Sequence, residues 1–225
     1  MNILILQVMD RNVKDYSVYS LPINLEYSIK NDYDYLLYQK SDFKHHPSWL
    51  KLEAFREIDL GKYEYIWVLD TDCIINNHSI KLESIIAKDP KEIIISENGS
   101  NGGRLMNAGS ILYKASIIPE LLERYSKWES DGNEFMQKKY WEQEMLNDWY
   151  EEDPSRFSVR DMNELNSFWD IDNLKGDEAS ILVYHYMGRG DVPKGSAGDR
   201  ASMMRRYFYK KHLLNIIVNG VPGMK

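Results

Sequence analysis

The most restrictive feature of this sequence is an apolar run that ends in two carboxylates. Residues 65–69 read Tyr-Ile-Trp-Val-Leu, and Asp70-Thr71-Asp72 follow without a break. A short, continuously apolar run of strand-forming residues predicts a β-strand that is buried on both faces, as in parallel sheets. Such a strand needs helices on both sides of its sheet. The sequence therefore predicts an α/β fold.

The rest of the chain repeats this alternation of strand and helix patterns. The other predicted strands lie at residues 3–8, 33–38, 92–96, 108–113 and 181–184. The predicted helices lie at residues 21–30, 49–58, 80–87, 119–128 and 140–150. Neither an internal repeat nor a low-complexity linker interrupts the pattern. We therefore expect one domain over residues 1–225, with the loop and helix of residues 190–225 closing over the site.

Composition excludes several classes of function. The formal net charge is −7 and no long basic segment is present, so a nucleic acid polymer is an unsuitable partner. Cys73 is the only cysteine, which excludes an intramolecular disulfide and the cysteine-rich zinc sites. The apolar start at residues 3–6 is far shorter than the ~20 residues of a membrane span. These features predict a soluble cytoplasmic protein without a transmembrane segment.

The two aspartates at the strand end have the spacing of a metal site. Residues two apart on a strand point to the same side, so Asp70 and Asp72 can present both carboxylates to one cation. Hard oxygen ligands suit Mg²⁺ or Mn²⁺, which keep positions open for phosphate oxygens. A cation there would stabilise the charge that grows on a departing diphosphate. The alternative is a solvated turn, against which stands the cost of burying two carboxylates without a partner.

Four segments in order carry a resemblance to a known family. They are residues 47–75, which contain the two aspartates, then 102–114 (GGRLMNAGSILYK), 141–149 (WEQEMLNDW) and 183–190 (VYHYMGRG). Together they resemble the retaining glycosyltransferases with the GT-A fold. The sequence is most similar to the galactosyl/mannosyl-transferase family of fungal α-mannosyltransferases and plant xyloglucan xylosyltransferases, and more distantly to glycogenin-like enzymes.

The resemblance implies a single-domain, Rossmann-like GT-A fold with a mixed, mostly parallel sheet and helices on both sides. It also implies sugar transfer from a nucleoside-diphosphate sugar, with a UDP-sugar favoured, to a glycan or another hydroxyl acceptor with retention of configuration. Eukaryotic members are typically membrane-anchored through a stem region. Since this sequence starts almost at its first strand, we expect a bacterial, viral or excised catalytic domain.

The resemblance also assigns roles to individual residues. The implied ligands of Mn²⁺ or Mg²⁺ are Asp70, Asp72 and His185. The residues implied beside the reacting sugar are Glu142, Gln143 and Asn107. Those implied around the nucleotide and diphosphate are Val8, Asp10, Tyr16, Lys51, Asp70, Thr71, Gly188, Arg189 and Lys194. Within this last set, Tyr16 is expected to stack on the base, and the loop with Arg189 and Lys194 to cover the diphosphate.

Simpler roles compete with these assignments. Lys51 fits a solvated helix lysine, His185 a structural histidine and Asn107 a turn cap. Glu142 stands where the family commonly has aspartate, so its longer side chain changes the reach of the carboxylate. As a carboxylate on an amphipathic helix, it also fits an exposed position.

Three other functions compete for the Asp-Thr-Asp motif. In a haloacid-dehalogenase phosphatase, Asp70 would be the nucleophile and Asp72 the general acid, but that family usually opens with the motif. A nucleotidyltransferase is disfavoured because no glycine-rich phosphate loop follows the first strand. A non-catalytic nucleotide-sugar binding module is the remaining alternative, and the presence of Asp70, Asp72 and His185 together argues against it.

Overall fold

The apolar run before the two aspartates forms an inner strand of a six-stranded sheet in a computed structural model of the protein. The structure describes residues 1–9, 14–40, 42–98, 105–130, 136, 140–168, 180–186 and 199–213. The strands in these ranges are β1 (Ile3–Met9), β2 (Asp34–Gln39), β3 (Tyr65–Leu69), β4 (Cys73–Ile75), β5 (Ile93–Glu97), β6 (Met106–Lys114), β7 (Phe157–Arg160), β8 (Ser167–Phe168) and β9 (Val183–His185).

Helices flank these strands. The α-helices in the described ranges are α1 (Lys14–Asn31), α2 (Leu50–Phe55), α3 (Leu82–Lys88), α4 (Ile118–Ser130), α5 (Glu142–Glu152), α6 (Met162–Leu165) and α7 (Arg200–Phe208). Short 3₁₀ turns occupy Pro47–Trp49, Leu60–Lys62, Ala115–Ile117 and Pro154–Arg156, and a π-helical turn at Tyr209–Leu213 follows α7. Within the described ranges, no helix is long and apolar enough to cross a bilayer.

The main sheet is mixed and mostly parallel, as expected. Its strand order is β2-β1-β3-β6-β5-β7, and β6 runs antiparallel to its neighbours β3 and β5. A smaller sheet has the order β4-β9-β8. It begins where β3 ends, because β4 starts at Cys73, directly after the two aspartates. The short strand β4 therefore carries the chain from the main sheet into the small one.

Alternate side chains of β3 enter two separate apolar clusters. Ile66 and Val68 pack into one cluster, which also contains residues of α2, α4 and α5. Tyr65, Trp67 and Leu69 pack into the other, which contains residues of α1 and α3. The strand is buried along its whole length because both faces of the sheet are covered. This confirms the arrangement predicted from the apolar run.

Two helices differ from the sequence prediction. Helix α1 begins at Lys14 rather than near residue 21 and contains Pro22. Side chains on α1 fix it to the turn after β3: Ser20 donates a hydrogen bond to the Thr71 carbonyl, and Asn24 donates one to the Cys73 carbonyl. These tertiary contacts offset the hydrogen bond that proline removes. The predicted helix at residues 49–58 is shorter, with a 3₁₀ turn before α2 and an end at Phe55.

Candidate active site

The turn after β3 is fixed by backbone contacts. The Asp70 amide donates to the Gly109 carbonyl at 2.8 Å, and the Asp70 carbonyl accepts from the Cys73 amide at 3.0 Å and from Gln7 Nε2 at 3.1 Å. The Thr71 hydroxyl donates to the Val8 carbonyl at 2.5 Å. Thr71 therefore joins the ends of β3 and β1, and its hydroxyl already has a protein partner.

The small sheet brings His185 to Asp72. Strand β4 pairs antiparallel with β9, with Cys73 opposite His185, and the Tyr186 amide donates to the Asp72 carbonyl at 2.9 Å. As a result, His185 Nε2 lies 3.3 Å from Asp72 Oδ1, and both side chains are buried. The structure thus brings together two of the three residues that the resemblance implied as metal ligands.

Gly109 makes room for the imidazole of His185. A Cβ atom at position 109 would lie 2.3 Å from His185 Cε1 and 2.5 Å from Nδ1, far inside ordinary contact distance. Among the described residues, Nδ1 of this histidine has no hydrogen-bond partner. Gly109 had no predicted role, although it stands two residues after Asn107 in the Met-Asn-Ala-Gly-Ser segment.

The pair formed by Asp72 and His185 fits a divalent cation. Two adjacent ligands of an octahedral ion with bonds of about 2.1 Å are about 3 Å apart, close to the observed 3.3 Å. Cys73 has its sulfur within 4.8 Å of both ligand atoms. However, its thiol donates to the Gly109 carbonyl, and burial raises its pKa well above the usual value. A protonated thiol is a poor ligand, so an oxygen-preferring cation fits this pair better than a thiolate-bound metal.

Asp70 is held by a buried lysine. Lys51 Nζ lies 2.7 Å from Asp70 Oδ1, 2.8 Å from Glu142 Oε1 and 2.7 Å from the Ala108 carbonyl oxygen. These contacts match in number the three donors of an ammonium group. Lys51 is 2% exposed, whereas the Asp70 side chain is 31% exposed. In this arrangement Lys51 supports two carboxylates and has no donor left over for a diphosphate.

The same contacts set the charge of this group. Burial by itself would lower the pKa of Lys51, but Asp70 and Glu142 outweigh it and raise that pKa, so the lysine stays charged. Burial raises the pKa of Glu142, and Lys51 opposes this shift. Among the described residues, Glu142 Oε2 has no hydrogen-bond partner. Glu142 is thus a buried group, not an exposed carboxylate of an amphipathic helix.

Asn107 and Gln143 both bind the backbone of β6. Asn107 Oδ1 accepts hydrogen bonds from the Gly109 amide and from Asn166 Nδ2. Gln143 Oε1 accepts one from the Ala108 amide at 3.1 Å. The Gln143 contact joins α5 to the strand that carries Gly109, whereas the Asn107 contacts fix the backbone of β6 at Gly109 and link it to Asn166.

Arg200, the first residue of α7, was not predicted from the sequence as a site residue. Its Nε lies 3.1 Å from Asp72 Oδ2, and its Nη1 donates to the Tyr16 hydroxyl at 3.0 Å. Burial would raise the pKa of the Asp72 carboxyl, but His185 and Arg200 outweigh this effect and hold the pKa below its usual range. Arg200 follows a glycine-rich stretch and has no motif around it, so only the packing of α7 against α1 reveals it.

Four of the predicted site residues lie outside the described residues. They are Asp10, Gly188, Arg189 and Lys194. Their predicted contacts with base and diphosphate stay predictions. The described part of the site consists of two groups of charges: Lys51 with Asp70 and Glu142, and Asp72 with His185 and Arg200.

Solved structures share this fold. No family model and no curated protein sequence matches the chain. A glycosyltransferase involved in the glycosylation of the major capsid of PBCV-1 is similar with a TM-score of 0.70 and 17% identity, over 92% of this chain and 100% of that chain. The galactosyltransferase LgtC gives a TM-score of 0.57 and 14% identity, over 92% of this chain and 95% of that chain. The glycosyltransferase GlyE of Streptococcus pneumoniae is similar with a TM-score of 0.56 and 13% identity, over 93% of this chain and 64% of that chain. The chain therefore has the GT-A glycosyltransferase fold.

Proposed function

We propose that the protein is a metal-dependent glycosyltransferase that moves a sugar from a nucleoside-diphosphate sugar to a hydroxyl acceptor. The observation that carries this proposal is the buried pair of Asp72 and His185, 3.3 Å apart after the carboxyl end of β3. Ligands of open α/β sheets bind beyond the carboxyl ends of strands. The glycosyltransferases that share the fold support the reaction class.

Asp72 and His185 would hold Mn²⁺ or Mg²⁺. Asp70 can join them, since Lys51 binds only one of its oxygens, Oδ1, and the side chain remains partly exposed. When bound, the cation would supply Lewis-acid stabilisation of the charge on the departing diphosphate. The protein contributes a dry, fixed pair of ligands, which need not reorganise when the donor arrives.

The nucleotide end of the donor would lie near the ends of β1 and α1. Tyr16 is partly buried there, next to Arg200, and the Val8 carbonyl is fixed by Thr71. We infer a UDP-sugar as the preferred donor because the resemblance favours it. The buried pair of Asp72 and His185 supports a metal site, whereas no described contact distinguishes one base from another, so the base is the first variable to screen.

The transferred sugar would lie beside Glu142, Gln143 and Asn107. Lys51 holds Glu142 Oε1, and Oε2, which is buried and has no hydrogen-bond partner among the described residues, is the oxygen that would turn to the substrate. A carboxylate there would stabilise positive charge at the anomeric carbon in an oxocarbenium-like transition state. We infer retention of configuration, with the departing diphosphate taking the proton of the acceptor hydroxyl.

The decisive experiment is a donor screen for nucleoside diphosphate release that depends on Mn²⁺, followed by product analysis with hydroxyl acceptors. Asp72→Asn should abolish the metal-dependent activity. Asp32→Asn makes the same chemical change at an exposed position and is expected to leave it unchanged. Full activity in excess chelator, or equal activity of Asp72→Asn and the wild type, would contradict metal-dependent transfer. Donor binding with Mn²⁺ but without any product would favour a binding module.

A further inference from the structure

Arg200 contacts two residues of the donor site from outside the sequence motif. Its Nε lies 3.1 Å from Asp72 Oδ2, while Asp72 Oδ1 faces His185 at 3.3 Å. Both carboxylate oxygens therefore have a neighbour. A buried carboxylate without a counter-charge is costly, and Arg200 supplies the nearest permanent positive charge to Asp72 among the described residues.

The same guanidinium also covers Tyr16. Its central carbon lies 5.1 Å from the centroid of the Tyr16 ring, and Nη1 donates to the phenol oxygen at 3.0 Å. Tyr16 thus fixes Arg200 in the position where it faces Asp72. A base that stacks on the covered face of Tyr16 would have to take the place of Arg200.

We propose that Arg200 is an exchangeable counter-cation of Asp72, which a divalent metal ion must displace. This inference rests on the metal site of the proposed function. A divalent ion between Asp72 and His185 would share one carboxylate with the guanidinium, and two like charges on one buried carboxylate repel each other. Binding of the metal ion to Asp72 therefore breaks the ion pair between Asp72 and Arg200.

Helix α7 can stay in place during this exchange. Met204 and Tyr207 are buried, and the Tyr207 hydroxyl donates to Asn76 Oδ1 at 2.8 Å. The Arg200 side chain, in contrast, is 30% exposed and stands at the first turn of the helix. Its release needs a rotamer change of a long side chain and no movement of the helix.

The experiment compares Mn²⁺ affinity in Arg200→Gln and wild-type protein, titrated by calorimetry without donor. Loss of a charge-assisted contact with Asp72 removes a competitor, so we expect Arg200→Gln to bind Mn²⁺ about tenfold more tightly. Arg205→Gln makes the same change at an exposed position of α7 and should match the wild type. Tyr16→Phe removes the hydroxyl that fixes Arg200 and should give an intermediate affinity.

A second measurement uses thermal unfolding. Without metal, Arg200→Gln leaves Asp72 without its counter-charge and should unfold at a lower temperature than Arg205→Gln. The same Mn²⁺ concentration, well above both dissociation constants, should then raise its unfolding midpoint by more than that of the wild type, because stabilisation by a ligand grows with the logarithm of its affinity. This readout does not require enzymatic activity.

The outcomes separate this inference from the proposed function. Competition between Arg200 and the metal ion for Asp72 is supported if Arg200→Gln binds Mn²⁺ more tightly than the wild type, or if Arg200→Gln binds Mn²⁺ and the wild type does not. Equal or weaker binding by Arg200→Gln, or no binding by either protein, overturns it. Tighter Mn²⁺ binding in a protein that releases no nucleoside diphosphate from any donor would retain the role of Arg200 and reject the glycosyltransferase.

Discussion

Replacing Gly109 by alanine is expected to move His185 out of its metal-binding position. The added methyl group would lie 2.3 Å from Cε1 and 2.5 Å from Nδ1 of the imidazole. Carbon atoms in contact are normally about 3.5–4.0 Å apart, so the ring must shift by more than ~1 Å. His185 is buried in β9, between β4 and β8, so the ring cannot turn into solvent.

A shift of this size exceeds what a metal bond tolerates. Ligand distances in metal sites are held within about 0.2 Å, so the displaced imidazole would no longer be a ligand. Loss of a supporting residue typically costs 10- to 100-fold in metal affinity, and displacement of a ligand should cost at least about 100-fold. Overpacking should also lower the free energy of unfolding by about 1–3 kcal/mol.

The assay is calorimetric titration with Mn²⁺, combined with urea unfolding of the metal-free protein. Gly61→Ala is the matched control, because a Cβ atom there meets Asp59 Oδ1 at 3.4 Å, an ordinary contact. In a His185→Ala background, Gly109→Ala should cost clearly less stability, because the imidazole is gone and the approach to Asn107 Oδ1, at 3.1 Å, is milder. Wild-type Mn²⁺ affinity in Gly109→Ala would refute the reasoning, as would a stability cost that is undiminished without the imidazole.

Two further predictions concern the group around Lys51. Lys51→Met leaves Asp70 and Glu142 without their shared cation and should lower the free energy of unfolding by about 3–5 kcal/mol. The exposed pair Lys62–Asp34 should contribute little to stability, so an equal cost for Lys62→Met in the same urea titration would contradict the role of the buried pair. Glu142→Gln should lower turnover more than donor affinity, because the charge matters most in the transition state. An equal loss in calorimetric donor affinity and in kcat would argue against this, and proton NMR of the first-formed product tests retention.

The sequence predicted the parts of the site that local patterns encode. The apolar run of residues 65–69 has no polar position, so a strand buried on both faces was the direct interpretation, and the structure confirms it. The two aspartates then had to lie at a strand end. The resemblance added His185, and the pairing of β4 with β9 places it beside Asp72.

What the sequence could not predict are partners that only packing brings together. Lys51 and Glu142 are separated by 91 positions, and nothing in either segment indicates that their charges meet. Arg200 and Tyr16 are separated by 184 positions and meet only because α7 packs on α1. A lysine in an amphipathic helix is usually solvated, so its burial between carboxylates required the fold to be known.

Lys51 and Arg200, the two cations in the described part of the site, differ in how firmly they are held, and this difference divides their roles. Lys51 is buried, makes three contacts and joins β6, α5 and the end of β3. Arg200 is partly exposed and, among the described residues, contacts Asp72 and the Tyr16 hydroxyl. The described part of the site has three carboxylates and two cations, so these residues together carry one net negative charge when His185 is neutral. This charge attracts a divalent ion. Displacing the Arg200 guanidinium costs less free energy than displacing the Lys51 ammonium, because the guanidinium can return to water while the buried ammonium cannot.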